Sequence, residues 1–430
     1  MSRRVLSALL LLVLASSAAA AASPKHRTLP NGLRLVLSPD WSTEVVAVEM
    51  VLDISAEDEP PDQTGIRHLV QRLLLRGTAH ATGEEMGHRL AAVGGVVDTT
   101  VGLDYVEIYA LVPADGFETA VELLAEAVRY PAFDPEQIER ERNGAAELAR
   151  SAHDDPFQET YLALRERLYP GHPYGELTFG DPATLSSLSR DDILGFYRRN
   201  YLPNRAVVAV CGGVGEVRAM RALQRALDDW PQGRPRREPI LSAPPLRASE
   251  VTARERPLRR AHLIMGFPAP SAGSQDYYAV QVIDSILGGG STARLPRKLR
   301  EDLGLVYTVS TFYPTLAHDS HFGVYAVTEP YHVPTVKSAV IELLDDLASK
   351  PVSEEELARA KAYLLGSYAL SHQRMRERAY SLAWYETLEL GPDFEDRYSG
   401  AIEALTPSQV QMAAQRLFRR FVLAVTLPTT

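Results

Sequence analysis

Apolar and polar positions alternate over residues 105–112, with Val106, Ile108, Ala110 and Val112 on one side, the period-two signature of a half-buried strand. The period then changes. Phe117, Ala120, Val121, Leu124, Ala127 and Val128 recur at helical steps and predict an amphipathic helix. Asp134, followed by Pro135 and Glu136, is placed to cap a further, charged helix. The same order returns about 216 to 219 residues later. Residues 321–327 read as the strand, Val336, Ala339, Val340, Leu343, Leu344 and Leu347 as the stripe, and Ser353 stands where Asp134 stood. One such match arises easily by chance, but four in order point to an internal duplication. The expected fold class is α+β, with two homologous domains, each an antiparallel sheet covered by helices.

Between the repeats, five prolines (Pro231, Pro235, Pro239, Pro244 and Pro245) remove amide donors and fix φ, which marks a linker. The expected boundaries are 25–228 for the first domain, 229–248 for the linker and 249–430 for the second. Residues 1–22 differ from both. Arg3 and Arg4 precede a short apolar run and then small residues ending near Ala22, which is the pattern of a secretory signal peptide. The run is too short for a good membrane span, and no cysteine follows it to carry a lipid. The mature protein is therefore expected to be periplasmic or secreted, without a membrane anchor.

Composition narrows the chemistry. Of 430 residues, 45% are hydrophobic and 23% charged, which excludes a disordered or low-complexity chain. The net charge of −10 and the lack of a basic run argue against nucleic acid as a partner. The single cysteine, Cys211, rules out an intrachain disulfide and any cysteine-rich zinc cluster. It lies in an apolar strand-like run, where it reads as a small buried hydrophobe. Any zinc site would have to be built from His, Asp and Glu.

Residues 65–78 concentrate the candidate chemistry. After a strand-like run (45–54) and an acidic, Pro-containing turn (57–62), Leu69, Val70, Leu73 and Leu74 form a helical apolar stripe. His68 and Arg72, four residues apart, share a face with Gln71 beside them. This segment, running from Gly65 to Gly77-Thr78, resembles the pitrilysin/insulinase/mitochondrial-processing-peptidase family of zinc peptidases. That family carries an inverted His-x-x-Glu-His motif ahead of a Gly-Thr pair, with a third ligand, a Glu, about 75 residues downstream. The likeness extends over nearly the whole mature chain, through Leu29-Pro30-Asn31-Gly32-Leu33, Asp154-Asp155-Pro156, His172-Pro173-Tyr174, Asn200-Tyr201-Leu202-Pro203-Asn204 and Leu287-Gly288-Gly289-Gly290.

The motif's chemistry does not carry over. His68 keeps the first ligand position, but Gln71 replaces the general base and Arg72 the second histidine. A neutral amide cannot take a proton from a metal-bound water, and a guanidinium has no lone pair for a metal. Downstream, Glu141 matches the family's supporting acid. The third-ligand position falls on Leu148, with Glu147 one residue away and so turned about 100° around the helix. No metal is expected on this chain, and no catalytic residue of its own. His68 is expected to be a histidine hydrogen-bonded within a helix interface, and Arg72 to pair with Glu141 or Glu147 in the space a metal would fill.

The resemblance also assigns a role to the second half. There the family contributes an Arg and a Tyr, seven residues apart, that hold the substrate backbone, and Arg300 and Tyr307 have that spacing. Both are strong donors to an oxygen that becomes negative. Some members of the family work as pairs, in which one chain carries the intact motif and the other only the Arg/Tyr pair. The leading expectation is thus a non-catalytic subunit that closes a chamber for unfolded peptides. Its partner would be a homologous catalytic subunit with an intact inverted motif, and the zinc would be there. The alternatives are an inactive scaffold or binding protein without a role in proteolysis, and a self-sufficient peptidase with an unorthodox site.

Overall fold

A computed structural model describes residues 23–234, 243–391 and 393–429. The signal-peptide segment and the centre of the Pro-rich linker lie outside the described residues. The first half contains strands β1 (Lys25–Thr28), β2 (Arg34–Pro39), β3 (Val45–Leu52), β4 (Val96–Val101), β5 (Val106–Pro113) and β6 (Ala206–Gly212). Its helices are α1 (Ile66–Leu73), α2 (Gly83–Ala91), α3 (Phe117–Arg129), α4 (Pro135–Asp154), α5 (Pro156–Leu168), α6 (Pro182–Ser187), α7 (Arg190–Asn200) and α8 (Glu216–Leu227). The second half holds β7 (Glu250–Arg256), β8 (Ala261–Ala269), α9 (Tyr277–Gly288), β9 (Val306–Phe312) and β10 (Ser320–Thr328). It continues through α10 (Val333–Ser349), α11 (Glu354–Ser371), α12 (Met375–Thr387), α13 (Phe394–Glu403), α14 (Pro407–Leu417) and β11 (Val422–Pro428).

The duplication is visible in the strand order. The first sheet runs β1-β2-β6-β3-β5-β4 and the second β7-β11-β8-β10-β9, so the two superimpose strand for strand once the extra edge strand β1 is set aside. Pairing is antiparallel except that β2 runs parallel to β6 and β7 to β11. Each sheet thus carries one parallel pair, because its last strand returns from a helical excursion to lie beside its first. The expected caps form as well. Asp134 accepts from the amides of Glu136 and Gln137, and Ser353 accepts from that of Glu356.

The central strands of each sheet are buried on both faces, and the two faces are covered differently. Alternate residues of the first sheet (Val46, Val48, Met50, Val106, Ile108, Ala110) meet its own helices. The opposite side of that sheet, at Val36, Ala47, Val51, Val207 and Ala209, packs against Ala379, Leu382, Ala383 and Trp384 of α12, a helix from the second half. The relation is reciprocal. Ile264, Val422 and Ala424 of the second sheet receive Ala163, Leu164 and Leu168 of α5, from the first half. The halves therefore interlock through an exchanged pair of helices rather than by simple abutment.

Candidate functional site

The segment that bears the motif positions is held by close backbone approach. Gly65, which precedes α1, has φ +90°, and a Cβ there would lie 2.7 Å from Phe179 O and Gly180 Cα. Only glycine accepts both the conformation and the approach. The contact brings Phe179 edge-on to His68, with ring centroids 6.1 Å apart. Burial, with Arg72 adding to it, pushes the His68 imidazole down to about 4, so it is neutral near pH 7. Among the described residues the His68 imidazole forms no hydrogen bond, which corrects the expectation of a hydrogen-bonded histidine. Phe179 and Arg72 offer no acceptor, and the nearby Glu141 carboxylate is taken by Arg72 and Arg76.

Gln71 is fully buried and its amide is saturated. Its Nε2 donates to Thr99 Oγ1 at 2.5 Å and to Glu107 O at 2.7 Å, and its Oε1 accepts from the Tyr201 hydroxyl at 2.7 Å. The residue in the general-base position is thus a tie between α1, the β4–β5 edge and the end of α7. Arg72 Nε lies 3.4 Å from Glu141 Oε2, and Arg76 pairs with the other oxygen of the same carboxylate. Asp98 on β4 stands 3.9 Å from Arg72.

Of the two acids expected beside Arg72, Glu141 is its partner and Glu147 is not. Glu147 points to solvent and pairs with Arg150 at 2.8 Å. Seven residues make nearly two turns, so Leu148 shares the face of Glu141 while Glu147 is rotated away. At that third-ligand position Leu148 is 48% exposed and has no donor atom.

These residues do not fit a zinc ion. A catalytic zinc needs three converging lone-pair donors and an open position. The four positions hold one neutral imidazole, one saturated amide, one guanidinium and one leucine. Among the described residues no group of three or more His, Cys, Asp or Glu could hold a metal ion. A cavity of about 780 Å³ opens beside the N-terminus of α1, lined in part by Glu57, Glu59, Arg67, His172 and Arg199, but by none of the motif positions.

The second-half pair lies on different elements. Arg300 sits in a wide π-helical turn over Pro296–Asp302, where its Nε donates to Glu301 Oε1 at 2.9 Å. Tyr307, near the start of edge strand β9, is 53% exposed. Its hydroxyl donates to Glu329 Oε1 at 3.3 Å, and the Arg260 guanidinium lies 3.3 Å above its ring. Arg260 also approaches Glu329, at 3.7 Å. Neither Arg260 nor Glu329 was legible in the sequence. They reach Tyr307 because Ala261, Thr328 and Val306 are aligned across β8, β10 and β9, which brings three strand ends together. Among the described residues, no hydrogen bond, ion pair or ring contact joins Arg300 or Tyr307 to α1.

Residues 34–180 match the family description "Insulinase (Peptidase family M16)", and residues 187–364 match "Peptidase M16 inactive domain". The chain belongs to the M16, or insulinase, family. Among M16 relatives, an uncharacterized zinc protease of Streptomyces coelicolor is 26% identical over 409 residues, covering 92% of this chain and 87% of that protein. The uncharacterized zinc protease YmxG of Bacillus subtilis is 24% identical over 408 residues, covering 94% of this chain and 98% of its own length. Among solved structures, a protease from Helicobacter pylori superimposes with a TM-score of 0.89 at 20% identity, over 94% of this chain and all of that one. A peptidase M16 inactive domain from Pseudomonas fluorescens gives a TM-score of 0.88 at 20% identity, over 95% of this chain and 98% of that one. The chain thus has the M16 fold, while the positions that the resemblance gives to the family's base and two of its ligands hold Gln71, Arg72 and Leu148.

Proposed function

We propose that this M16 chain is the non-catalytic subunit of a heterodimeric zinc metallopeptidase. It closes a chamber for unfolded peptides and presents Arg300 and Tyr307 to a homologous partner that carries the intact inverted motif and the zinc. The observation that carries this reading is the contrast between the two halves. The first has exchanged its metal and base positions for a structural amide and an ion pair, whereas the second keeps an Arg and a Tyr at the family's spacing with both side chains open to solvent. The apolar leader of the sequence supports export, to the periplasm or beyond. No helix among the described residues is long and apolar enough to cross a membrane.

The test mixes the purified chain with a homologue bearing an intact motif and follows cleavage of an unstructured peptide. Cleavage that needs both chains, and that falls at least tenfold with Arg300→Ala or Tyr307→Phe, is the expected result. Cleavage indifferent to both substitutions would favour an inactive scaffold. One observation favours that second reading. The Tyr307 hydroxyl is already engaged by Glu329 beneath the Arg260 guanidinium, an arrangement that also suits a purely structural tyrosine.

A further inference from the structure

The exchanged helix α12 does not meet the first sheet through apolar side chains alone. Two carboxyl groups, Glu49 on β3 and Glu107 on β5, point from the sheet toward it, and both are buried. Among the described residues a single cation pairs with them. Arg376 Nη2 donates to Glu107 Oε1 at 2.6 Å, while its Nε is 3.9 Å from Glu49 Oε2. The same guanidinium lies 4.3 Å above the Tyr109 ring. Among the described residues Glu49 has no hydrogen-bond donor for either oxygen, and neither oxygen reaches solvent. Its side chain is within hydrogen-bonding reach of Glu107.

The other groups around the pair do not supply the missing charge. From β4 come Thr100, a neutral hydroxyl directly across from Glu107, and the acid Asp98. From β5 come Tyr105 and Tyr109, from β6 the neutral Cys211, and from α12 Tyr380 and a further acid, Glu377. Two buried carboxylates against one arginine would leave an uncompensated charge on oxygens that do not reach solvent, which is costly. A proton on Glu49 removes the problem, since the acid O–H then donates to the Glu107 carboxylate while Arg376 holds the other side of it.

We propose that Glu49 and Glu107 share one proton beneath Arg376, and that this proton latches α12 of the second half onto the first sheet. Burial and the neighbouring Glu107 both hold Glu49 well above the usual carboxylate range, in keeping with this arrangement. Undocking α12 exposes Glu49 to water, where it ionises, so each opening releases a proton. The latch then weakens as pH rises from the ordinary carboxylate range toward the titration of the docked pair. The reciprocal contact behaves differently. Beneath α5, His321 is fully buried between the hydroxyls of Tyr161 and Tyr169, and burial holds it neutral, down to about 3. Opening there lets His321 take up a proton, so its pH dependence has the opposite sign.

Hydrogen–deuterium exchange of the full chain between pH 5.5 and 7.5, corrected for intrinsic exchange rates, reads both contacts in one sample. Protection of the α12 amides should fall by up to tenfold per pH unit until the docked pair itself titrates, with no fall in α5. Glu49→Gln keeps a donor toward Glu107 and cannot ionise, so it should reduce the α12 slope to less than twofold per unit. Should that variant not fold, Glu107→Gln carries the same expectation, because Glu49 alone then faces Arg376 and ionises in place. An α12 slope that is absent in the unaltered chain, or unchanged in the variant, would overturn the proposal.

Discussion

At the residue scale, the decisive positions are Gln71 and Arg72, and both were legible in the sequence because their side-chain chemistry alone removes a base and a ligand. Their partners were not. Thr99 and Tyr201, which complete the hydrogen bonding of Gln71, are 28 and 130 residues away and meet it only through the fold. Arg76, which shares Glu141 with Arg72, lies just beyond the end of α1, where helical spacing no longer predicts a neighbour. Restoring the family's glutamate with Gln71→Glu should therefore not revive chemistry. It replaces an amide donor by a carboxylate against the Glu107 carbonyl, and should destabilise the fold by about 1–3 kcal/mol, read as a lower urea midpoint. His68 makes a pH prediction. Its folded-state value is below its unfolded one, so the unfolded chain takes up the proton first and stability falls as pH drops from about 6.5 toward 4. His68→Gln should make that part of the stability–pH curve shallower, with His321 still contributing, as urea midpoints at pH 7 and 4.5 would show.

At the scale of elements, helical stripes and caps were readable wherever a helix has one wet and one dry side. The stripes of α3 and α10 and the caps at Asp134 and Ser353 form where the sequence places them. The exchange of α5 and α12 was not readable. Each packs under the opposite half's sheet and buries residues on more than one side, so periodicity says little about what covers what. The contact has clear anchors. Trp384 is almost fully buried against the first sheet, and Trp384→Ala should cost about 3–5 kcal/mol and loosen α12 first, as proteolysis or amide exchange would report. On the reciprocal side, β8 approaches α5 so closely that a Cβ on Gly266 would lie 2.5 Å from Leu164 Cδ1. Gly266→Val should push α5 off the second sheet while leaving the first-half core intact.

For the molecule as a whole, the duplicated strand order explains how one half can lose its chemistry without losing its shape. The core that supports α1 is apolar and independent of a metal, so Gln71, Arg72 and Leu148 need only satisfy packing and charge. The two-domain α+β architecture was legible from the repeated succession of strand, helix and cap. The parallel pair in each sheet was not, because it depends on where the last strand of each half returns. The proposed complex with a motif-bearing homologue belongs to this scale too, and its cleavage activity should depend on both chains in equal amounts.

Whether the motif positions hold a metal can be read from the zinc content of the purified chain. After equilibration with excess zinc and removal of the unbound ion, the chain should retain far less than one zinc per molecule, unchanged by His68→Ala. One zinc per chain that disappears with His68→Ala or Glu141→Gln would contradict the loss of the metal centre.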